Sequence, residues 1–242
     1  MKMMKAAVLS VVVCTAFAQS AQAQMTWTDK GFVNVSFGVQ TGSHTLGTSS
    51  DFDLYDELGH LDTTHDVDGG ALFDISGGYK VWRNLAVGIG FSRVKSDADV
   101  AISARVPDPI EFDRPRSITA TASGAEHSET AIHLVGTWMM PVTDKVDVGF
   151  SFGPTIFSVK QDVPTAVAVS EPGPTVTSTT FTSVDKTTVG VTFGVDVTYL
   201  VTPRIGAGGL IRYSVGSADL DGASDSLTLG GFQIGAGVRF RF

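Results

Sequence analysis

The chain has 242 residues, a formal charge of −8 and a single Cys, with 27 Gly, 43% apolar residues and only 17% charged ones. A pI near 5.0 argues against a nucleic-acid binder, which carries a basic patch or stripe, and the plentiful, patterned Val, Phe and Ile argue against disorder. A spanning helix is excluded as well, because no internal stretch reaches the roughly 18 apolar residues it needs.

The first segment reads as an address. Met1 to Lys5 carries two lysines, Ala6 to Ala18 is an apolar and small-residue run, and Ala21-Gln22-Ala23 is a small-x-small cleavage site. These are the three parts of a secretory signal peptide over residues 1–23, leaving 24–242 as one exported domain. Cys14 lies inside the run behind Val11-Val12-Val13, which is not a lipid-attachment context, and cleavage would remove it. Disulfides then have no part in the mature protein.

Past residue 30 the apolar pattern has a period of two, the mark of strands with one apolar face. Strand one holds Val33, Val35, Phe37 and Val39, and it is followed by an acidic link from Ser49 to Gly70. Strand two holds Ala71, Phe73, Ile75 and Tyr79, and strand three Leu85, Val87, Ile89 and Phe91. Ile132, Leu134, Trp138 and Met140 form the fourth, and Val146, Val148, Phe150 and Phe152 the fifth. Val189 to Tyr199 alternates most cleanly as the sixth, Ile205, Ala207, Ile211 and Tyr213 are the seventh, and Phe232 to Phe242 closes the chain as the eighth.

The links alternate too. Strands two and three join through Val81-Trp82-Arg83, four and five through Pro141 to Asp144, and six and seven through Val201-Thr202-Pro203, whereas the other links are long. Eight alternating segments with short turns on one side and long loops on the other predict an all-β, antiparallel, up-and-down transmembrane barrel. A soluble sandwich also alternates, but the second face here is mainly Gly, Ser and Thr, which suits a narrow lumen better than an aqueous surface. Tyr79, Trp82, Trp138 and Tyr199 cluster at the short turns as an aromatic girdle of the kind that marks a membrane boundary. The ending Gly235-Ala-Gly-Val-Arg-Phe-Arg-Phe242, with Phe240 and Phe242, resembles the signal read by the barrel-assembly machinery.

Across about residues 30 to 242 the chain resembles the small eight-stranded outer-membrane barrels of the OmpA, OmpX and OmpW type, in strand count, loop asymmetry and C-terminal ending. The stretches Val106 to Pro115 and Gly153 to Ser158 are similar to segments of uncharacterised members. The resemblance implies both termini in the periplasm, with outer-membrane lipid, lipopolysaccharide and the assembly machinery as partners. Members range over anchors, adhesins, narrow channels and a few enzymes, so the fold does not choose the function.

Inward charges fall into layers when counted from the short turns. Asp147, Asp196, Arg239 and Arg241 are lowest, with Asp74, His133 and Arg212 above them. Charges so confined are costly unless paired, so a charge-matched plug is expected. The rival is a thin pore, with room left by inward glycines such as Gly38, Gly88, Gly206, Gly208 and Gly237.

The acidic link carries Asp51, Asp53, Asp62, Asp66 and Asp68 with His60 and His65 and no basic residue. Carboxylates at this density are candidates for Ca²⁺ or Mg²⁺, but the spacing matches no EF-hand and a solvated acidic loop is the expectation. Val100 to Val106 with Ile118 to Ala122, and Val163 to Ser170 with Thr175 to Thr182, read as hairpins projecting past the membrane, with Glu171-Pro-Gly-Pro174 as a turn. Arg93, at the outer end of strand three, is an interfacial Arg of the snorkelling kind.

A catalytic rim has its candidates in His127, Ser128, Glu129 and His133. Adjacent strand residues point to opposite faces, so His-Ser-Glu in succession cannot converge, and no nucleophile elbow, phosphate loop, cofactor fingerprint or metal spacing is present. The expected role is therefore non-catalytic: a structural or surface-interaction protein with no cofactor, acting on an extracellular ligand that the sequence does not name. A narrow channel is second and a rim enzyme third.

Overall fold

The computed structural model describes residues 26–42, 44–219 and 226–242, so the predicted signal peptide lies outside the described residues. Ten strands follow in chain order: β1 (Gly31–Thr41), β2 (His44–Leu54), β3 (Glu57–Val67), β4 (Ala71–Trp82), β5 (Leu85–Val106), β6 (Arg116–Thr143), β7 (Val146–Ser170), β8 (Thr175–Leu200), β9 (Ile205–Ala218) and β10 (Leu227–Arg241). Eight of them close an antiparallel ring, β1-β4-β5-β6-β7-β8-β9-β10, sealed where β1 meets β10 and where β5 meets β6. Each of the eight contains one of the predicted segments.

The alternation dictates the wall. Phe37, Ile75, Ile89, Leu134, Phe152, Phe193, Ile211 and Ile234 face outward and stay exposed, while Asn34, Ser36, Asp74, Thr155, Thr198 and Gln233 between them are buried inside. An apolar belt around a polar interior is stable only where lipid replaces water outside. Tyr79, Trp82, Trp138 and Tyr199 are exposed at the short-turn rim of this belt, with Phe240 and Phe242 beside them.

The acidic link is not a loop. It is a hairpin, β2–β3, whose turn residues Tyr55 and Asp56 take φ of 55° and 61°, the mirror-image turn that matches strand twist. The hairpin stays outside the ring and pairs with the far half of β5, from His60↔Arg105 to Val67↔Ala98. The strand count is therefore ten where eight were expected, because inward Thr48, Thr63 and His65 interrupt the apolar period of β2 and β3.

Strands β5 to β8 run 22, 28, 25 and 26 residues, against the roughly 9–11 that cross a bilayer. Their surplus builds a dome above the belt, and there the polarity inverts. On β5, Val87, Ile89 and Phe91 face out, but Val94, Ala98, Val100, Ile102, Ala104 and Val106 face in. The dome has its own core, in which Phe52, Leu61 and Val67 of the added hairpin pack against Ala98, Val100, Ile102, Ala104 and Val106 of that row, Ile118 and Val167. Burial of His65 in this core pushes its pKa down to about 4.

A polar lumen capped at both ends

The lumen is built from the short-turn end upward. Chain before β1 folds back into the mouth: the Trp27 amide donates to Asn84 Oδ1 at 3.1 Å, and Lys80 Nζ donates to the Trp27 carbonyl at 2.7 Å. The indole is 2% exposed and packs edge-on to Phe32, with Ala86 and Met139 completing the cluster. No periodic signal marked Trp27, because it precedes the first strand.

Above it lie the predicted charges. Arg241 donates to Asn34 Oδ1 at 3.0 Å and to Thr198 Oγ1 at 2.5 Å, and its Nε stands 3.7 Å from Asp147 Oδ2. Arg239, wholly buried, donates Nε and Nη2 to the two oxygens of Asp196 at 3.0 and 2.7 Å and Nη1 to Ser36 Oγ at 3.0 Å. Higher up, Arg212 Nη1 reaches Asp74 Oδ2 at 2.6 Å. His133 does not join that pair; its two ring nitrogens meet Ser92 Oγ at 2.9 Å and Thr155 Oγ1 at 2.8 Å.

One further layer was not singled out as part of the lumen. Gln233 Nε2 donates to Gln40 Oε1 at 2.7 Å, and Gln40 Nε2 donates to Glu129 Oε2 at 3.1 Å. Glu129 also accepts the Gly230 amide at 3.0 Å and meets His127 Nε2 at 3.1 Å, while His127 Nδ1 lies 2.6 Å from Gln161 Oε1. This chain crosses the lumen where the belt gives way to the dome. The signal was present in parity: His127 and Glu129 share the inward register of His133. Ser128 has the opposite parity, so it does not join the His127–Glu129 pair. Directly above, Leu46 of β2 packs with Phe157, Val159, Leu227 and Leu229 as an apolar lid.

Two of the inward glycines serve packing. A Cβ added at Gly38 would stand 1.9 Å from the Ile234 carbonyl oxygen, so its absence lets two curved strands approach. At Gly208 it would meet Arg239 Nε at 2.8 Å; the hydrogen side chain there seats the guanidinium. The cavity bounded by Asn34, Thr137, Ser151, Asp196 and Arg212 has a volume of about 40 Å³, enough for only a few waters at roughly 10–15 Å³ each.

Two of the five metal candidates meet at one histidine. Asp51 and Asp62 flank His60 on the outer face of the hairpin, at 2.7 and 3.2 Å. Asp62 also accepts from Ser49, and Asp66 from Thr45. Among the described residues no three His, Cys, Asp or Glu side chains form a metal-holding group. The hydrogen bond to Asp51 raises the His60 pKa above its ordinary 6.5. A raised pKa means that the clamp strengthens the hairpin fully below pH 6.5 and is lost as pH rises through the folded value. An NMR titration should place the His60 midpoint above 6.5, and Asp51→Asn should bring it down; an unchanged midpoint would refute the clamp.

The dome's tip is also braced. Arg116 donates Nη1 and Nη2 to the two oxygens of Glu171 at 2.9 and 2.6 Å, and Tyr55 Oη donates to the same carboxylate at 3.4 Å. The Arg116 guanidinium holds the Glu171 carboxyl below its usual range.

The model of the outer membrane protein beta-barrel domain family matches residues 9–240. Among solved structures, the chain is similar to Neisserial surface protein A, at 14% identity and a TM-score of 0.47 over 88% of this chain and 97% of that one. It is also similar to OprG from Pseudomonas aeruginosa, at 10% identity and a TM-score of 0.45 over 88% and 97%. A third, the outer membrane protease OmpT from Escherichia coli, shares 11% identity at a TM-score of 0.45 over 92% and 100%. No curated protein matches.

Proposed function

The chain belongs to the outer-membrane β-barrel protein family, and from that premise we propose that it is a non-catalytic surface protein, its lumen closed and its dome the working part. The family places the barrel in the outer membrane; export by residues 1–23, contact with lipid and lipopolysaccharide, and reading of Phe240 and Phe242 by the assembly machinery belong to the same proposal.

The observation that carries it is the dome. A barrel serving only as a wall or a conduit has no need of strands more than twice the bilayer's reach, nor of a separate apolar core outside the membrane. Three further features support a closed lumen: Trp27 in the lower mouth, Arg212 and Arg239 each bound to a carboxylate, and the Leu46 lid. Charges paired in so dry a space hold the strands together and leave little passage.

The test is reconstitution into liposomes, with ion and small-solute flux measured from protein shown to be folded by its heat-shifted gel mobility. No flux above protein-free vesicles is expected. Arg212→Asp, which sets two carboxylates against each other, should raise conductance and lower thermal stability together. Flux through the unmodified protein would transfer the reading to a narrow channel, and an Arg212→Asp protein unchanged in both respects would remove the plug.

A further inference from the structure

We propose that the tip of the dome inserts Leu58, Ile110 and Phe112 into a zwitterionic phospholipid bilayer that faces the cell. This rests on the surface-interaction reading and makes its partner a lipid surface.

Among the described residues the three most exposed large apolar side chains are Ile110 at 85%, Phe112 at 77% and Leu58 at 73%. The next in order, Val189 and Val201, belong to the belt and its short-turn rim, where the cell's own membrane covers them. The tip has no such cover. Phe91 is the last outward apolar residue of β5, and Val106 ends the strand. At about 3.3 Å per residue and a strand tilt of about 40°, that stretch lifts the tip roughly 40 Å above the belt. A lone exposed apolar side chain is ordinary, but three held together are not. They are held together: Glu57 Oε1 accepts the Asp113 amide at 3.0 Å, and Leu58 and Phe112 are the chain neighbours of those two residues.

The loop that presents them is set in advance. Asp108 Oδ1 accepts the amides of Ile110 and Glu111 at 3.0 and 3.3 Å, and Arg116 Nη2 donates to the Pro107 carbonyl at 3.0 Å. Pro107, Pro109 and Pro115 restrict the backbone further, so contact costs little ordering entropy. Charge then selects the surface. Arg114 is paired with Glu111, and Arg116 with Asp108 and Glu171, so neither cation is left for an anionic headgroup. Asp53, Asp56 and Asp113 add negative charge at the tip of a chain whose formal charge is −8. An anionic bilayer is therefore repelled, whereas a zwitterionic one sets its ammonium groups against these carboxylates. Projecting side chains enter a fluid bilayer one by one and need no matching pocket, as a protein partner would require. Tyr55, partly exposed with its hydroxyl on Glu171, supplies the amphipathic ring that suits the boundary.

The test places the folded full chain in nanodiscs and mixes it with phosphatidylcholine vesicles whose acyl chains carry bromine. Phe112→Trp supplies an indole at the tip, while Trp27, Trp82 and Trp138 stay at the short-turn end, far from the vesicle. Quenching and a blue shift of the added indole are expected, with co-flotation of the unmodified protein. Ile110→Ser combined with Phe112→Ser should weaken co-flotation tenfold or more with gel mobility unchanged. Vesicles containing phosphatidylserine should bind less at low salt. No quenching, equal flotation of the double variant, or tighter binding to the anionic vesicles overturns the insertion. Binding to whole cells that protease treatment abolishes, with vesicles never bound, assigns the tip to a protein partner and overturns it too. Clustering of nanodiscs without vesicles, lost in the double variant, assigns it to a second copy with the same consequence. None of these results moves the liposome flux, on which the surface reading stands.

Discussion

Asp196→Ala is expected to destabilise the barrel by about 3–5 kcal/mol, the usual loss when one partner of a buried pair is removed and the other stays charged. The reason lies in the asymmetry of the pair. Asp196 is 18% exposed and also accepts from Thr198, whereas the Arg239 side chain is wholly buried and sends two of its bonds to that one carboxylate. Without it the guanidinium keeps only Ser36 and two carbonyl oxygens, those of Val35 and Val238. Arg239→Leu alone should cost less, since the carboxylate left behind has partial access to water and to Thr198. The double variant should recover most of the loss, because an apolar pair of similar volume removes both desolvation terms. Urea titration of folded protein in lipid vesicles, followed by tryptophan fluorescence, measures all three. A double variant as unstable as Asp196→Ala would mean that Arg239 acts through packing and not through its charge.

That layer was legible in the sequence because two simple rules fixed it. Inward parity follows from the apolar belt, and height follows from counting residues from the short turns; together they put Arg239 near Asp196 and Arg212 near Asp74. Neither rule says which atoms meet. His133 lies at the right height and parity for the Asp74 layer, yet Ser92 and Thr155 take both its nitrogens. Glu129 was hidden for another reason: beside His127 and Ser128 it looks like a catalytic fragment, and only the inward register shows it as part of a hydrogen-bonded bridge. The dome was legible as projecting strands but not as a second core. Its signal is a change of phase, odd-numbered apolar residues up to Phe91 giving way to even-numbered ones from Val94 on β5. A search for alternation alone passes over a change of face. In β2 and β3 even the alternation is masked, since Thr48, Thr63 and His65 occupy inward positions and hydrogen-bond in a row there at 2.5 and 3.1 Å.

The phase change makes a sharper prediction, because one strand then answers to two solvents. Ile89→Arg and Val100→Arg place the same charge eleven residues apart on β5, on opposite faces. Ile89 faces lipid, where Arg near the bilayer midplane costs the whole barrel about 2–4 kcal/mol and diminishes toward the interfaces. Val100 has no exposed surface and lies in the dome core, where a charge has neither partner nor water and its burial is costlier still. The dome has its own core, separate from the polar lumen, so its loss should stay local. Ile89→Arg should impair membrane assembly and abolish the heat-shifted gel band. Val100→Arg should keep that band while trypsin gains access to Arg105, Lys160 and Lys186 and hydrogen exchange accelerates above Val94 alone. If Val100→Arg abolishes the band as well, barrel and dome fold as a single unit, and the dome becomes part of what holds the ring closed.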